Sequence, residues 1–223
     1  MNKTRSASET TDENLTTSGH IVAGLRAKYY DIGNMPLGLP LVTRPHVNLI
    51  ALQPRQSLLD IGSGTGEVLY RLHRKFGDIV SLYGIDPSGD MLDVARHKLR
   101  RAGNVQMELG AGEQLRFPDA SFDWVVSSLT FHHVPLDIKR ATIRESHRVL
   151  KSGGWLLISD FGKPINPAAE LLSNIWKNHA FTAENFRNVI PGLILEEGFT
   201  DLSVVVTGGG IHHTLARKQM TVS

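Results

Sequence analysis

The chain is 223 residues long, 41% apolar and 21% charged, which suits one globular domain with a sizeable core. Its 24 Lys and Arg against 22 Asp and Glu leave a formal charge of +2, without the strong basic excess of a dedicated duplex binder. There is no Cys, so disulfide frameworks, thiolate nucleophiles, Cys-ligated zinc and iron–sulfur clusters are excluded.

Residues 1–18 are polar and lack an apolar h-region, so they read as a disordered lead rather than a secretory signal. Glu9, Asp12 and Glu13 argue against a mitochondrial transit peptide. No run of 18 apolar residues occurs, no spanning helix is expected, and a cytoplasmic setting follows as the expectation. Residues 19–223 then read as one domain. Ile21, Leu25 and Tyr29 recur at four-residue spacing and predict a short helix over His20–Tyr30. Prolines and glycines break the pattern, and a second short helix is predicted over Arg44–Leu52.

From Ser57 the rhythm changes. SLLDI reads as a buried strand, followed at once by GSGTG and a helix over EVLYRLHRKF. SLYGID is a second strand, and the next helix, PSGDMLDVARHKLRRAG, has Pro87 at its start and Gly103 at its end. NVQMEL and FDWVVSSL give strands three and four, PLDIKRATIRESHRVL a helix closed by KSGG, and GWLLISD strand five. Helices are predicted near Ala168–Lys177 and Thr182–Leu195, and TDLSVVV and IHHTLARK form a closing hairpin whose His212 and His213 alternate across an edge strand. Alternating strands and helices of this length predict an α/β fold with a mostly parallel sheet and helices on both faces.

The strongest local signal is LLDIGSGTG, Leu58–Gly66. Glycines directly after a strand allow a tight turn and close backbone approach to a ligand, and the next helix offers free N–H groups. A purely structural turn is the alternative. The third glycine comes one residue too early for the nicotinamide fingerprint, and the Gly-Lys-Ser/Thr ending of a nucleoside triphosphate loop is absent. Asp86 ends the second strand, where an acid accepts hydrogen bonds from both ribose hydroxyls; a helix cap is the alternative. Turn and acid together point to an adenosine-containing ligand at the carboxyl ends of parallel strands.

LLDIGSGTG, GIDPSGDMLDVAR, GAGEQLRFPDASFDWVVSSLTFHHV and RESHRVLKSGGWLLISD, spanning residues 58–160, resemble the class I S-adenosylmethionine-dependent methyltransferases. Within these the chain is similar to the small-molecule group that includes the ubiquinone and menaquinone biosynthesis enzymes. The resemblance implies a Rossmann-like seven-stranded sheet of order 3-2-1-4-5-7-6 with strand 7 antiparallel. It also implies a segment over residues 19–50 that covers the site. The implied cofactor is S-adenosyl-L-methionine. Gly62, Ser63, Gly64 and Gly66 match the turn around its methionine portion, and Asp60 the acid that favours its ammonium. Asp86 matches the ribose acid, with Pro87 following, and Met91 an apolar residue beside adenine. Ala111, Gly112 and Glu113 stand where many relatives carry Asp-Ala-Glu, so an adenine contact is lost at Ala111 and the backbone of Gly112 and Glu113 is left to replace it. Ser128 and Leu129 match the segment beside the methionine carboxylate and sulfonium, and Tyr30 a tyrosine that touches the cofactor from the covering helix.

The implied activity is methyl transfer to a small-molecule acceptor at O or C. A cyclase or decarboxylase on the same fold, a non-catalytic S-adenosylmethionine-binding partner subunit and a dehydrogenase are the alternatives. His132 and His133 are the candidate general bases, with a packing role as the alternative, and only one can easily face the cofactor. Asp160 ends strand five at the same mouth, where it can orient a histidine, bind substrate or cap a turn. No metal is expected at His132, His133 and Asp160, because adjacent histidines rarely both reach one ion. The basic run Arg96–Arg101 reads as a solvated helix face, so no nucleic-acid partner is expected; a homodimer is possible. An apolar acceptor pocket is expected from residues 20–50 and Phe161–Leu195, including Phe161, Ile165, Ile175, Trp176, Phe181 and Phe186.

Overall fold

In a computed structural model the structure describes residues 39–165, 170, 182–207 and 210–220. The expected N-terminal lead, the His20–Tyr30 helix with Tyr30, and the Ala168–Lys177 helix lie outside the described residues, as do Ile175, Trp176 and Phe181.

Seven strands form one sheet: β1 (Ser57–Ile61), β2 (Ser81–Asp86), β3 (Val105–Leu109), β4 (Phe122–Ser128), β5 (Leu150–Phe161), β6 (Phe199–Thr207) and β7 (Ile211–Lys218). Their order is β3-β2-β1-β4-β5-β7-β6, parallel except that β7 runs antiparallel to both neighbours, as expected. The order reverses between β1 and β4, and their C-terminal ends open a crevice there.

The central strands are apolar on both faces because helices cover both. Leu59, Ile61, Val125 and Ile158 pack on one face with Ile143, Ile190 and Leu193. Leu58, Trp124, Val126 and Leu157 pack on the other with Val47, Ile50, Leu69 and Leu72. The covering helices are α1 (Leu39–Leu49), α2 (Glu67–Phe76), α3 (Gly89–Lys98), α4 (Leu136–Val149), α5 (Thr182–Phe186) and α6 (Val189–Glu196).

Four local expectations change. The helix expected over Arg44–Leu52 runs over Leu39–Leu49, with Pro45 inside it. KSGG lies inside β5: Phe122 pairs with Leu150 but Trp124 with Trp155, so the extra residues form a bulge. The helix expected over Thr182–Leu195 breaks at Asn188, φ 60, because Pro191 has no N–H to give and is accommodated in the first turn of a new helix. His212 and His213 do alternate, but on an inner strand, since β6 forms the edge.

Candidate functional site

The crevice is an open cleft lined from β1, β2, β4, the turns that follow them, and α1 and α4. The turn after β1 is closed by its own backbone: the Gly62 and Ser63 N–H groups both donate to the Ile85 carbonyl at 2.9 Å, and Gly66 N–H to Ser63 O at 2.9 Å. Gly62, Gly64 and Gly66 all have positive φ, at 69°, 52° and 75°. Their roles differ. A Cβ at Gly62 would strike the Thr130 side chain, and one at Gly66 would come within 2.8 Å of Leu99. A Cβ at Gly64 would meet nothing within 4 Å, so its open face belongs to the cleft.

Asp60 sits at the foot of this turn. It is 1% exposed, and neither carboxylate oxygen has a hydrogen-bond partner. Burial pushes its carboxyl well above the ordinary carboxylate range, and the charge of Asp86 adds to the effect. A buried, orphaned acid lining a cleft is a seat for a cationic group. Asp86 is engaged differently: it accepts from Gly64 N–H at 2.8 Å and Ser88 N–H at 2.9 Å. Burial raises its pKa, and those two bonds oppose the rise. Each of its oxygens retains acceptor capacity for a hydroxyl.

Pro87 and Met91 line the next part of the cleft, opposite Gly110, Gly112 and Glu113. Ser88 caps α3 by accepting from Met91 N–H at 3.3 Å, which fixes that wall. Gly112 has no room for a side chain, because a Cβ would lie 2.8 Å from Ile61 and 2.9 Å from Thr142. Ala111 is 5% exposed and stands behind the wall, bridged to Gln114.

Ser128 and Leu129 line the end nearest β4 and β5. Leu129 is left-handed, φ 54, and its N–H donates to Ser159 O at 2.8 Å. Thr130 follows, its hydroxyl within 3.3 Å of Gly62 O, clamping this loop onto the glycine turn.

The two histidines divide. His133 lines the cleft, and His132 does not. His132 Nδ1 donates to Asp160 Oδ1 at 2.8 Å, its backbone N–H donates to Oδ2 at 3.2 Å, and its ring lies 3.9 Å from that of His133. Burial opposes the Asp160 charge, but His132, the Phe161 N–H and His133 together hold its carboxyl below the ordinary range. Phe161 packs edge-on against His132 at 4.9 Å and lies 6.5 Å from Phe186, while Ile165 is exposed.

Of the residues singled out from sequence, the cleft therefore gathers Asp60, Gly62, Ser63, Gly64, Asp86, Pro87, Met91, Gly112, Glu113, Ser128, Leu129 and His133. Gly66, Ala111 and His132 stand behind it. Sequence reasoning missed Thr43, Thr130, Phe131, Ile138 and Thr142. Ile138 and Thr142 are four apart on α4, whose start faces the same strand ends, so spacing and topology together could have found them.

A glycine turn open on one side, an unpartnered acid beneath it and a second acid at the end of β2 thus line one cleft at the C-terminal ends of the parallel strands. Comparison with known proteins gives the family. Residues 59–158 match the methyltransferase domain family. The chain is 30% identical over 226 residues to the ubiquinone/menaquinone biosynthesis C-methyltransferase UbiE of Vibrio campbellii, covering 90% of this chain and 86% of that one. It is 29% identical over 214 residues to the protein of the same name in a Geobacter species, covering 84% and 90%. The fold is similar to that of an S-adenosylmethionine-dependent methyltransferase from Aquifex aeolicus (TM-score 0.68, 23% identity, 88% of this chain and 99% of that one). It is also similar to that of the [4+2]-cyclase SpnF (TM-score 0.64, 20% identity, 80% and 81%). The chain belongs to the S-adenosylmethionine-dependent methyltransferase family that includes the ubiquinone/menaquinone biosynthesis C-methyltransferases, and its activity is methyl transfer to a small molecule.

Proposed function

We propose that the cleft binds S-adenosylmethionine in one defined pose and that the acceptor atom is a carbon. The orphaned carboxyl of Asp60 carries the pose: it fits the ammonium of the methionine portion, while the open face of Gly64 leaves room for close approach. Gly62, Ser63 and Gly66 shape that turn. Asp86 takes the ribose hydroxyls, Pro87 and Met91 pack against adenine, and the backbone of Gly112 and Glu113 replaces the contact absent at Ala111. Ser128 and Leu129 flank the sulfonium end. Tyr30 is a further candidate contact from the N-terminal segment.

The cofactor supplies an electrophilic methyl group on sulfur. The protein supplies placement, which alone removes much of the barrier of a two-body reaction. A carbon acceptor must lose a proton, and its acceptance is assigned to His133, which lines the cleft. Asp160 holds His132, and the His132 ring lies against that of His133 at 3.9 Å with the planes inclined by 42°, so the pair is oriented from behind. Carbon is favoured over oxygen because the relatives that match most of the chain are named as C-methyltransferases. The acceptor class their names suggest is a ring precursor in quinone biosynthesis. A small acceptor, no nucleic-acid partner and a cytoplasmic setting complete the reading. They are supported by the near-neutral charge and by the lack, among described residues, of a helix long and apolar enough to cross a membrane.

The test is transfer of labelled methyl from S-adenosylmethionine to such a ring, with the product mapped by carbon NMR. A new ring-carbon methyl supports the reading; a methyl ether shifts it to oxygen; no transfer to any ring acceptor removes this acceptor class.

A further inference from the structure

Behind the sulfonium end of the cleft runs a second chain of polar side chains, on the opposite face of β5 from His132 and Asp160. His46 Nδ1 lies 2.6 Å from Ser159 Oγ, Ser159 Oγ 2.6 Å from His213 Nδ1, and His213 Nε2 2.9 Å from Thr207 Oγ1. His46, Ser159 and His213 are each 0% exposed, and Thr207 is half-buried. The chain crosses from α1 through β5 and β7 to the edge strand β6. His46 Nε2, at its inner end, has no partner.

Burial, reinforced by His213, pushes the His46 pKa down to about 3, and burial, reinforced by His212, pushes that of His213 to about 4. Both rings are therefore neutral at physiological pH, and each carries one N–H. Ser159 Oγ–H can point to only one of two Nδ1 atoms and must accept from the other. Two proton orders satisfy all three bonds. In one, His46 Nδ1 donates to Ser159, Ser159 to His213, and His213 to Thr207. In the other every bond is reversed. Both orders leave all three bonds intact, two of them buried, so the chain holds as a unit.

What it holds is the wall of the cleft. Thr43, one helical turn before His46, lines the cleft. The far end of α1 has its own anchor, Lys75 Nζ donating to the carbonyls of Val47 and Ile50 at 2.9 Å. Ser159 also accepts the Leu129 N–H through its carbonyl, so one residue fixes both α1 and the left-handed Leu129 at the same end of the cleft.

We propose that His46, Ser159, His213 and Thr207 form a strap that seats α1 against the methyl-transfer end of the cleft, with His46 and Ser159 as positioning residues for bound S-adenosylmethionine. The role rests on the cofactor occupying the cleft as described above. Replacing Ser159 by Ala removes only the side-chain bonds and leaves its carbonyl to Leu129.

The experiment combines hydrogen–deuterium exchange of the ligand-free full chain over residues 42–49 with calorimetric titration by S-adenosylmethionine. Ser159→Ala and His46→Leu are expected to speed that exchange at least roughly tenfold and to raise Kd by about three- to tenfold, the scale of one or two lost buried bonds. His46→Asn places an amide near the Nδ1 position, and it is expected within about threefold of wild type on both readouts. Thr207→Val, at the half-buried end, preserves the core and is expected to speed exchange about threefold. Exchange in Ser159→Ala within twofold of wild type, or His46→Asn as loose as His46→Leu, overturns the strap. Looser exchange with unchanged Kd overturns the positioning role. A wild-type chain that fails to bind S-adenosylmethionine overturns the cofactor reading itself, and the exchange data still judge the strap.

Discussion

Replacing Asp60 by Asn tests the centre of the site. Asp60 is 1% exposed, has no hydrogen-bond partner, and has its pKa raised chiefly by burial and then by Asp86. An ammonium arriving beside it favours the ionised form, so cofactor binding is expected to release up to one proton. Calorimetry in two buffers of different ionisation enthalpy reads this directly. Hydrogen bonds to a charged group contribute about 1.5–3 kcal/mol, so Asp60→Asn is expected to weaken binding roughly 10- to 150-fold and to abolish the proton release. The ligand-free protein should respond the other way. Because the folded pKa lies above the unfolded one, ionisation penalises the fold. The penalty is absent below the unfolded value of 3.8, grows as pH rises towards the folded value and is constant above it. Asp60→Asn is therefore expected to raise the Tm of the free protein at pH 8 and to change little near pH 3.5. Unchanged Kd with unchanged proton release refutes the assignment of Asp60 to the ammonium.

Gly62→Ala, whose Cβ would strike Thr130, should unfold several degrees lower in a thermal melt. Gly64→Arg should fold at a cost of about 1–2 kcal/mol for its left-handed backbone, yet lose cofactor binding in calorimetry. His133→Ala should lose at least about 100-fold in kcat with Kd for the cofactor kept, and His132→Ala less than His133→Ala, in a single-turnover assay. Asp160 has a depressed pKa, so its contribution to stability is present above the ordinary carboxylate value of 3.8 and lost as pH falls through the folded one; Asp160→Asn should flatten that acid limb of a Tm-against-pH curve. Ala111→Ser should leave cofactor Kd within about twofold, since Ala111 stands behind the wall rather than on it.

The parts legible in sequence are those governed by local rules. SLLDI and SLYGID end where expected because continuous apolar runs and glycine turns bound them. The glycine turn and Asp86 were readable as cleft residues because each stands directly at the C-terminal end of a parallel strand. The helix break at Asn188 was hidden, since VIPGLIL is apolar enough to continue a helix and only Pro191 signals otherwise. Thr43 and Thr130 were illegible for a different reason. Each reaches the cleft from a separate element, and no spacing in the chain records that convergence. His46 is the extreme case, a lone histidine in an apolar helix whose partner lies 113 residues away.

The C-terminal end of β5 explains why two histidine systems can serve one cleft without touching. Successive residues of a strand face opposite sides of a sheet. Ser159 therefore joins His46 and His213 on the α1 side, while Asp160 joins His132 on the side of α4 and α5. The first system holds neutral rings, because burial there meets no negative charge among the named partners; the second holds a carboxylate, because His132 and backbone N–H groups face it. A neutral chain resists titration and suits a wall that must keep its place. An ionised Asp160 behind His132 and His133 suits the proton acceptance proposed for His133. Exchanging these environments with Ser159→Asp would place a buried carboxylate between two neutral imidazoles. It is expected to raise at least one of their pKa values, measurable by NMR titration, and to make the seating of α1 pH-dependent near neutral pH, where the wild-type rings stay neutral.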